Sequence, residues 1–419
     1  MSELAPVRQS EREVFMDVLR GFAILGIFIA NLASFSFYDS SIPASSSPYL
    51  LGKADHTMSF LHHMFIEGKF YSIFSLLFGW GIALQFKRAE AKGVNALPTV
   101  KRRLFFMLLL GALHLLIWPG DIVFFYALLA FILLPLRKFS NKTLLITGVI
   151  LILLPILLYW LKMTWPVLNT PSEKLAQAGT WTNNQFFPEY RDVDTREEFI
   201  AILDKLDWWD FTKNNVAGFF YRYSYLLHVS RVPKVLGMFL IGYVVGRSDF
   251  FKNLAQYRKI VYIVIVAGLL IGLPANYLLA KQMESHMGDY FQLKQNGFYH
   301  TIWYALGVAP LAMAYVGLFM LAFKTNAGNR ILSVFAPAGK MAFSNYIMQS
   351  LIGNYVFFAT GLGYMFKVGP VYYTLFGVAV FILQIIFSTI WLKYFNYGPV
   401  EWVWRSATYK KWQPMRKKV

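Results

Sequence analysis

Apolar residues gather along this chain in long runs instead of alternating with polar ones. Ten such runs stand out, at about 21–37, 64–86, 104–118, 122–136, 144–161, 235–246, 260–280, 302–323, 341–358 and 371–392. A helix crossing a hydrocarbon core about 30 Å thick needs roughly 17–25 predominantly apolar residues. Several runs are shorter than this, and the sixth is long enough only if the Tyr-rich stretch 216–230 continues it. The pattern predicts an all-α integral membrane protein, a polytopic bundle of about ten transmembrane helices. No internal repeat, Gly/Ser linker or low-complexity tract divides it, so 1–419 reads as a single transmembrane domain. The largest polar interruption, 162–215, reads as an extracytoplasmic loop or cap; it holds nine acidic and six basic residues with Trp165, Trp181, Trp208 and Trp209.

Composition sharpens the class. Hydrophobic residues make up 57% of the chain and charged residues 15%, against about 45–50% and about 25% in soluble domains. The net charge of +18 would suit a nucleic-acid partner if it formed a patch, so its placement decides. With the N-terminus inside, the N-terminal arm, four inner loops and C-terminal tail hold 26 of the 40 basic residues, while the outer loops hold 10 basic and 14 acidic. That is the positive-inside distribution. Both termini are then cytoplasmic, membrane lipids are the expected partners and nucleic acid is not. Charges of both signs run to Arg20, unlike a cleavable signal peptide, so the first span is expected to be retained. The absence of Cys removes thiolate nucleophiles and Cys-ligated metal sites, and neither a metal nor a tightly bound cofactor is predicted.

A charge in the bilayer core costs at least ~2.5 kcal/mol, so polar residues inside spans are functional candidates, with helix-to-helix pairing as the alternative. Asp17 and Arg20, three apart, share a helix face and form either a clamp or a substrate contact. Asn31 lies further along the same span and is open to interhelical bonding. Glu67 and Lys69 point to different sides of a helix, so Lys69 needs another partner, for example an anionic substrate group. His62 and His63 read as solvated interfacial residues. Arg222, His228, Arg231 and Lys234, interleaved with Tyr221, Tyr223 and Tyr225, suit an anion site for phosphate or headgroup, or a snorkelling interfacial helix. Asn345 and Gln349, four apart, face the bundle together and suit helix packing or a polar cavity. Gly242 and Gly246 have the spacing that permits a homodimer.

The stretch 102–136 is the most informative. An apolar span containing His114 breaks at Pro119-Gly120-Asp121 and re-enters as a second span, a helical hairpin. A carboxylate beside an imidazole fixes its tautomer, and the ring can then take a proton from a hydroxyl or amine. A core histidine and an N-capping aspartate are the alternative.

Several segments together resemble the YeiB family of bacterial inner-membrane proteins. They are Asp-Val-Leu-Arg-Gly-Phe-Ala-Ile-Leu-Gly-Ile from Asp17, with Asn31 following; Lys69-Phe70 through Leu-Leu-Phe-Gly-Trp-Gly; Gly-Ala-Leu-His114 with Gly120-Asp121-Ile; the run from Gly339 to Gln349; and Gly-Pro-Val-Glu-Trp-Val-Trp-Arg405. The family is distantly similar to membrane acyltransferases such as heparan-alpha-glucosaminide N-acetyltransferase. The family resemblance implies the bacterial plasma (inner) membrane, and the acyltransferase similarity implies a multi-span bundle with an acyl-donor cavity and a catalytic histidine. The related enzymes carry theirs near the start of the second span, where this chain has His62 and His63, whereas the YeiB pattern supplies His114 with Asp121; His114 is favoured for its carboxylate. The resulting expectation is transfer of an acyl group from a thioester donor, with acyl-CoA as co-substrate, to an extracytoplasmic hydroxyl or amine on a small molecule, glycan or lipid. His114 and Asp121 would be catalytic, with Asp17, Arg20, Asn31, Lys69, Arg222, Arg231, Asn345 and Gln349 as donor- or substrate-binding candidates. The competing expectation is a transporter or exporter of a lipid or small metabolite, in which no bond is made.

Overall fold

The computed structural model describes residues 13–38, 41–189, 195–203 and 205–417. Arg8, Arg12 and Lys418 of the charge count, and positions 190–194 and 204 of the cap, lie outside the described residues. Helices run along the chain as α1 (Val14–Ser36), α2 (Lys53–Phe65), α3 (Lys69–Glu90), α4 (Leu97–Leu115), α5 (Val123–Leu136) and α6 (Asn141–Thr164). Then follow α7 (Thr170–Phe186), α8 (Arg196–Leu203), α9 (Trp208–His228), α10 (Arg231–Arg247), α11 (Leu254–Phe291) and α12 (Gln295–Phe323). The last are α13 (Asn326–Leu332), α14 (Ala336–Lys340), α15 (Ala342–Phe357), α16 (Pro370–Tyr394) and α17 (Pro399–Tyr409). Each of the ten apolar runs lies mainly on a helix of its own, and the described residues contain isolated β-bridges but no strand.

Five helices, α1, α6, α11, α12 and α16, are long and apolar enough to cross a membrane alone. The pair α9 and α10 forms a sixth candidate, bent by 73° at its break. This is a helical membrane protein. The Tyr-rich stretch does continue toward the sixth run, but as a separate helix. Ser230 adopts a left-handed conformation (φ 50°), and the Lys162 ammonium donates to the carbonyls of Leu227 (2.7 Å) and His228 (2.9 Å). A cation at a helix C-terminus satisfies carbonyls that the broken ladder leaves open.

Caps fix other boundaries. The Ser140 hydroxyl accepts from the Thr143 N–H at the start of α6 (3.1 Å), and Asp207 accepts from the Asp210 N–H at the start of α9 (2.7 Å). The first turn of α16 is capped from a distance: Asp55 of α2, fully buried, accepts from the Val371 N–H (3.0 Å). This folds α2 back over α16, and His62 is therefore buried, not solvated. Its Nδ1 lies 3.2 Å from the Tyr373 hydroxyl, and its Nε2 lies 2.8 Å from the Thr374 hydroxyl. Burial pushes the His62 pKa down to about 4, with the neighbouring His63 charge acting in the same direction.

Gly242 and Gly246 are spent inside the chain. A Cβ on Gly242 would stand 1.9 Å from the Leu76 carbonyl oxygen, and one on Gly246 would meet Trp80 and Ala83. The small-residue face expected to offer a homodimer contact is the α3–α10 seam. At the end of the bundle that holds the α4–α5 turn, Phe187, Leu203, Leu206 and Phe211 from 162–215 join one apolar cluster with Phe35, Trp118 and Phe357.

Candidate functional site

Two short helices and a tight turn place His114. α4 and α5 approach so closely that a Cβ on Gly111 would lie 2.4 Å from the Phe124 nitrogen. The end of α4 is tied down by side chains from two other helices. Asn215 donates to the carbonyls of Leu116 (2.9 Å) and Ile117 (3.1 Å), and Asn354 donates to that of Ile117 (2.7 Å). His114 sits in this anchored last turn. Asp121 lies just ahead of α5, where one carboxylate oxygen accepts from the Phe124 N–H (2.6 Å) and the other lies 2.7 Å from His114 Nδ1. Asp121 thus both accepts from the first turn of α5 and partners the imidazole.

The opposite edge of the ring is also engaged. His114 Nε2 lies 2.9 Å from the Ser350 hydroxyl on α15. A carboxylate only accepts, so Nδ1 carries the proton and the Nε2 lone pair accepts from Ser350 in the neutral ring. The three side chains form a carboxylate–imidazole–hydroxyl line, and all are essentially buried. Sequence reasoning passed over Ser350 because a serine inside an apolar helix carries no signal of its own; its position one residue after Gln349 was the only cue.

A cavity of about 240 Å³ approaches this line. At one end it is bordered by Arg88, Arg103, Lys340 and Arg405, together with Arg20, Glu13 and Glu401. Its walls are apolar, among them Ile24, Phe78, Leu104 and Met107, and its lining also includes Ile122, Val123 and Tyr346. Ile122 and Val123 directly follow Asp121, and the Tyr346 ring centre is 5.0 Å from that of His114. The pocket therefore extends from a cation-rich mouth to the neighbourhood of the histidine. Trp404 of α17 closes one side: its indole N–H donates to the Arg103 carbonyl (2.9 Å), and the Arg103 guanidinium lies 4.2 Å from its ring centre. Glu401 caps α15 by accepting from the Phe343 N–H (2.7 Å), the Ser344 N–H (3.2 Å) and the Ser344 hydroxyl (2.5 Å). Burial raises the pKa of Glu401, the hydrogen bonds opposing it, and burial likewise raises that of Glu13.

The other sequence candidates divide. Arg20 lines the cavity and its Nη1 donates to the buried Asp17 carboxylate (2.9 Å). Asn31 is half-buried on α1 outside the cavity lining. Lys69 does not reach a ligand space; its ammonium is buried and donates to the His63 carbonyl (2.6 Å), while His63 Nδ1 donates to Glu67 (2.7 Å). Asn345 and Gln349 turn into the α15–α16 seam. The Asn345 amide donates to Ala338 O and to the Ser388 hydroxyl, and Gln349 donates to Gln384 (2.9 Å). Their polarity serves helix packing because α16 presents Gln384 and Ser388 on the facing side. Arg222 and Arg231 flank the α9–α10 break, apart from the cavity lining. Among the described residues, no three His, Asp or Glu side chains come together as metal ligands.

Residues 245–411 match the family model described as a protein of unknown function (DUF418). Over its whole length the chain is 34% identical to the uncharacterized protein YxaH of Bacillus subtilis (strain 168), covering 99% of that protein. It is 29% identical to the uncharacterized protein YeiB of Escherichia coli (strain K12), with 95% of this chain and 96% of that one covered. An uncharacterized 39.9 kDa protein encoded in the amylase 3' region of Bacillus acidopullulyticus is 27% identical, with 98% and 97% covered. No solved structure matches. With 34% identity to YxaH over its whole length and 29% to YeiB over nearly all of it, the chain belongs to the YeiB family of bacterial membrane proteins.

Proposed function

We propose that this protein is a membrane acyltransferase of the bacterial plasma membrane, crossing it about ten times with both termini in the cytoplasm. In that orientation the cation-rich mouth faces the cytoplasm, and the His114–Asp121 pair lies toward the far side. The observation that carries the reading is the cavity that leads from Arg88, Arg103 and Lys340 to Tyr346, beside His114. A donor with a phosphorylated head and a slender thioester arm, as in acyl-CoA, matches a basic mouth joined to an apolar shaft. His114, oriented by Asp121, would remove the proton from an acceptor hydroxyl or amine as it attacks the thioester carbonyl. The C–S bond breaks, and the thiolate leaves and is protonated.

The test uses membrane vesicles containing the full chain and radiolabelled acetyl-CoA, with native lipids and added cell extract as the acceptor pool. Label should pass to an acceptor with wild-type protein and not with His114→Ala, while the variant remains folded in the membrane. Full transfer by His114→Ala would falsify the role of His114. The broken α9–α10 pair supports a second reading, since discontinuous helices bearing charge are a feature of transporters. Labelled substrate crossing the membrane unchanged, with no thiol released, would favour it.

A further inference from the structure

We infer that the elbow between α9 and α10 binds a phosphate-bearing anion through Arg222, Arg231 and Lys234, and that this is the head of the acceptor. The inference rests on the acyltransferase reading only for the word acceptor; the anion site stands on its own geometry.

The three cations flank the 73° break, two of them on the first turn of α10. Among the described residues none of the three makes an ion pair within 4 Å of a carboxylate. Their contacts are phenols and rings. Arg231 donates from Nη1 to the Tyr304 hydroxyl (2.8 Å) and from Nη2 to the Tyr225 hydroxyl (3.2 Å), and its guanidinium carbon is 4.6 Å from the Tyr71 ring centre. Tyr71 and Tyr304 are themselves joined at 2.9 Å, which holds the frame rigid. The Lys234 ammonium stands 4.0 Å from the Tyr304 ring centre. The Arg222 guanidinium lies 5.8 Å from the Tyr225 ring centre, without a hydrogen bond to it.

Two N–H groups are left over. The Nε atoms of Arg222 and Arg231 are both buried and meet no acceptor. A buried donor without a partner is unfavourable, more so on a charged group. The acidic side chain acting electrostatically on Arg231 is Glu67, which is already bonded to His63. Asp121 faces Tyr223 and Tyr346 as Arg222 does, but it is engaged by His114 and the Phe124 N–H. Three clustered cations whose neighbouring carboxylates are already engaged, in the depth of a membrane protein, call for an added anion. A phosphate has the oxygens to accept from two guanidinium groups and an ammonium at once. The place also fits: Arg222 is within electrostatic range of Tyr346, the residue whose ring adjoins His114. A phosphorylated acceptor held at the elbow would have its neighbouring hydroxyl or amine directed toward the imidazole.

Binding can be measured without any acyl donor. The full-length protein in neutral detergent is titrated with inorganic phosphate, with phosphatidylglycerol and, as a control, with zwitterionic phosphatidylcholine, and thermal unfolding is followed. We expect phosphate or phosphatidylglycerol to raise the wild-type midpoint in a saturable way. Arg222→Gln and Arg231→Gln should weaken the apparent affinity about tenfold or more, and Arg231→Lys by less because it keeps the charge. A response to inorganic phosphate as well assigns the site to any phosphoryl group, and a response to phosphatidylglycerol alone assigns it to a lipid headgroup. Equal responses to phosphatidylglycerol and phosphatidylcholine, no saturable response in wild type, or unchanged affinity in folded glutamine variants overturns the proposal. Should anion binding fail while label transfer still depends on His114, the elbow proposal falls and the acyltransferase reading stands.

Discussion

Ser350 Oγ lies 2.9 Å from His114 Nε2, on the ring edge opposite Asp121, and so ties α15 to the α4–α5 turn across 236 positions of sequence. The contact completes a line in which both ring nitrogens of the imidazole are engaged. It also ranks the expected mutational effects. Asp121→Asn offers an amide in place of an obligate acceptor and frees the tautomer, so label transfer should fall by at least about a hundredfold. Ser350→Ala leaves Nδ1 and Asp121 untouched and should cost less, with about 1–3 kcal/mol of stability lost because Nε2 becomes a buried, unpaired acceptor. Initial rates and thermal unfolding of the two purified variants check the order; Asp121→Asn at wild-type rate would remove the carboxylate from the mechanism.

The cation-rich mouth predicts a different kinetic signature. Arg88→Gln and Arg103→Gln should raise the KM for acetyl-CoA with little change in kcat, and the wild-type KM should rise with ionic strength. Arg103 also stacks on Trp404, so its variant should lose more than Arg88→Gln. A fall in kcat at unchanged KM would place these arginines outside donor binding.

The α4–α5 approach predicts that Gly111→Val is poorly tolerated. Its side chain would be driven into the Phe124 backbone, whose N–H is the group Asp121 caps. Overpacking of this kind costs about 1–3 kcal/mol, and here it would also displace the carboxylate from His114. Unfolding in detergent should show a lower midpoint, accompanied by loss of label transfer.

Buried His62 predicts an acid limit on stability. Its folded pKa, pushed down to about 4, lies below the value of about 6.5 for an unfolded histidine. The unfolded chain therefore binds more protons between those values, and this contribution is complete above about pH 6.5 and lost as pH falls toward 4. Thermal midpoints at pH 7.5 and 5 should differ more for wild type than for His62→Gln, which has no titrating ring.

Much of this architecture is legible in the sequence because membrane helices must satisfy their own backbone. Each apolar run therefore lies on a helix, and the Pro119-Gly120 break brings Asp121 to His114 through local geometry alone. What the sequence withholds is long-range. Lys69 finds a carbonyl through the short α2–α3 turn, Asn345 and Gln349 meet Gln384 on a helix that follows, and Asp55 caps a helix more than three hundred positions away. Ser350 becomes visible only when α15 packs beside α4. None of these pairings leaves a periodic trace, since each depends on which helices end up adjacent.

The cap that Glu401 places on α15, and the closure of the cavity by Trp404, come from α17, which follows all ten apolar runs in sequence. Translation delivers that helix after all ten apolar runs have left the ribosome. The cavity therefore depends on a helix made after the apolar runs, and a released chain truncated before Gly398 should insert its helices yet leave the mouth open on one side. Limited proteolysis of such a truncated chain should cut the start of α15, which the full chain protects.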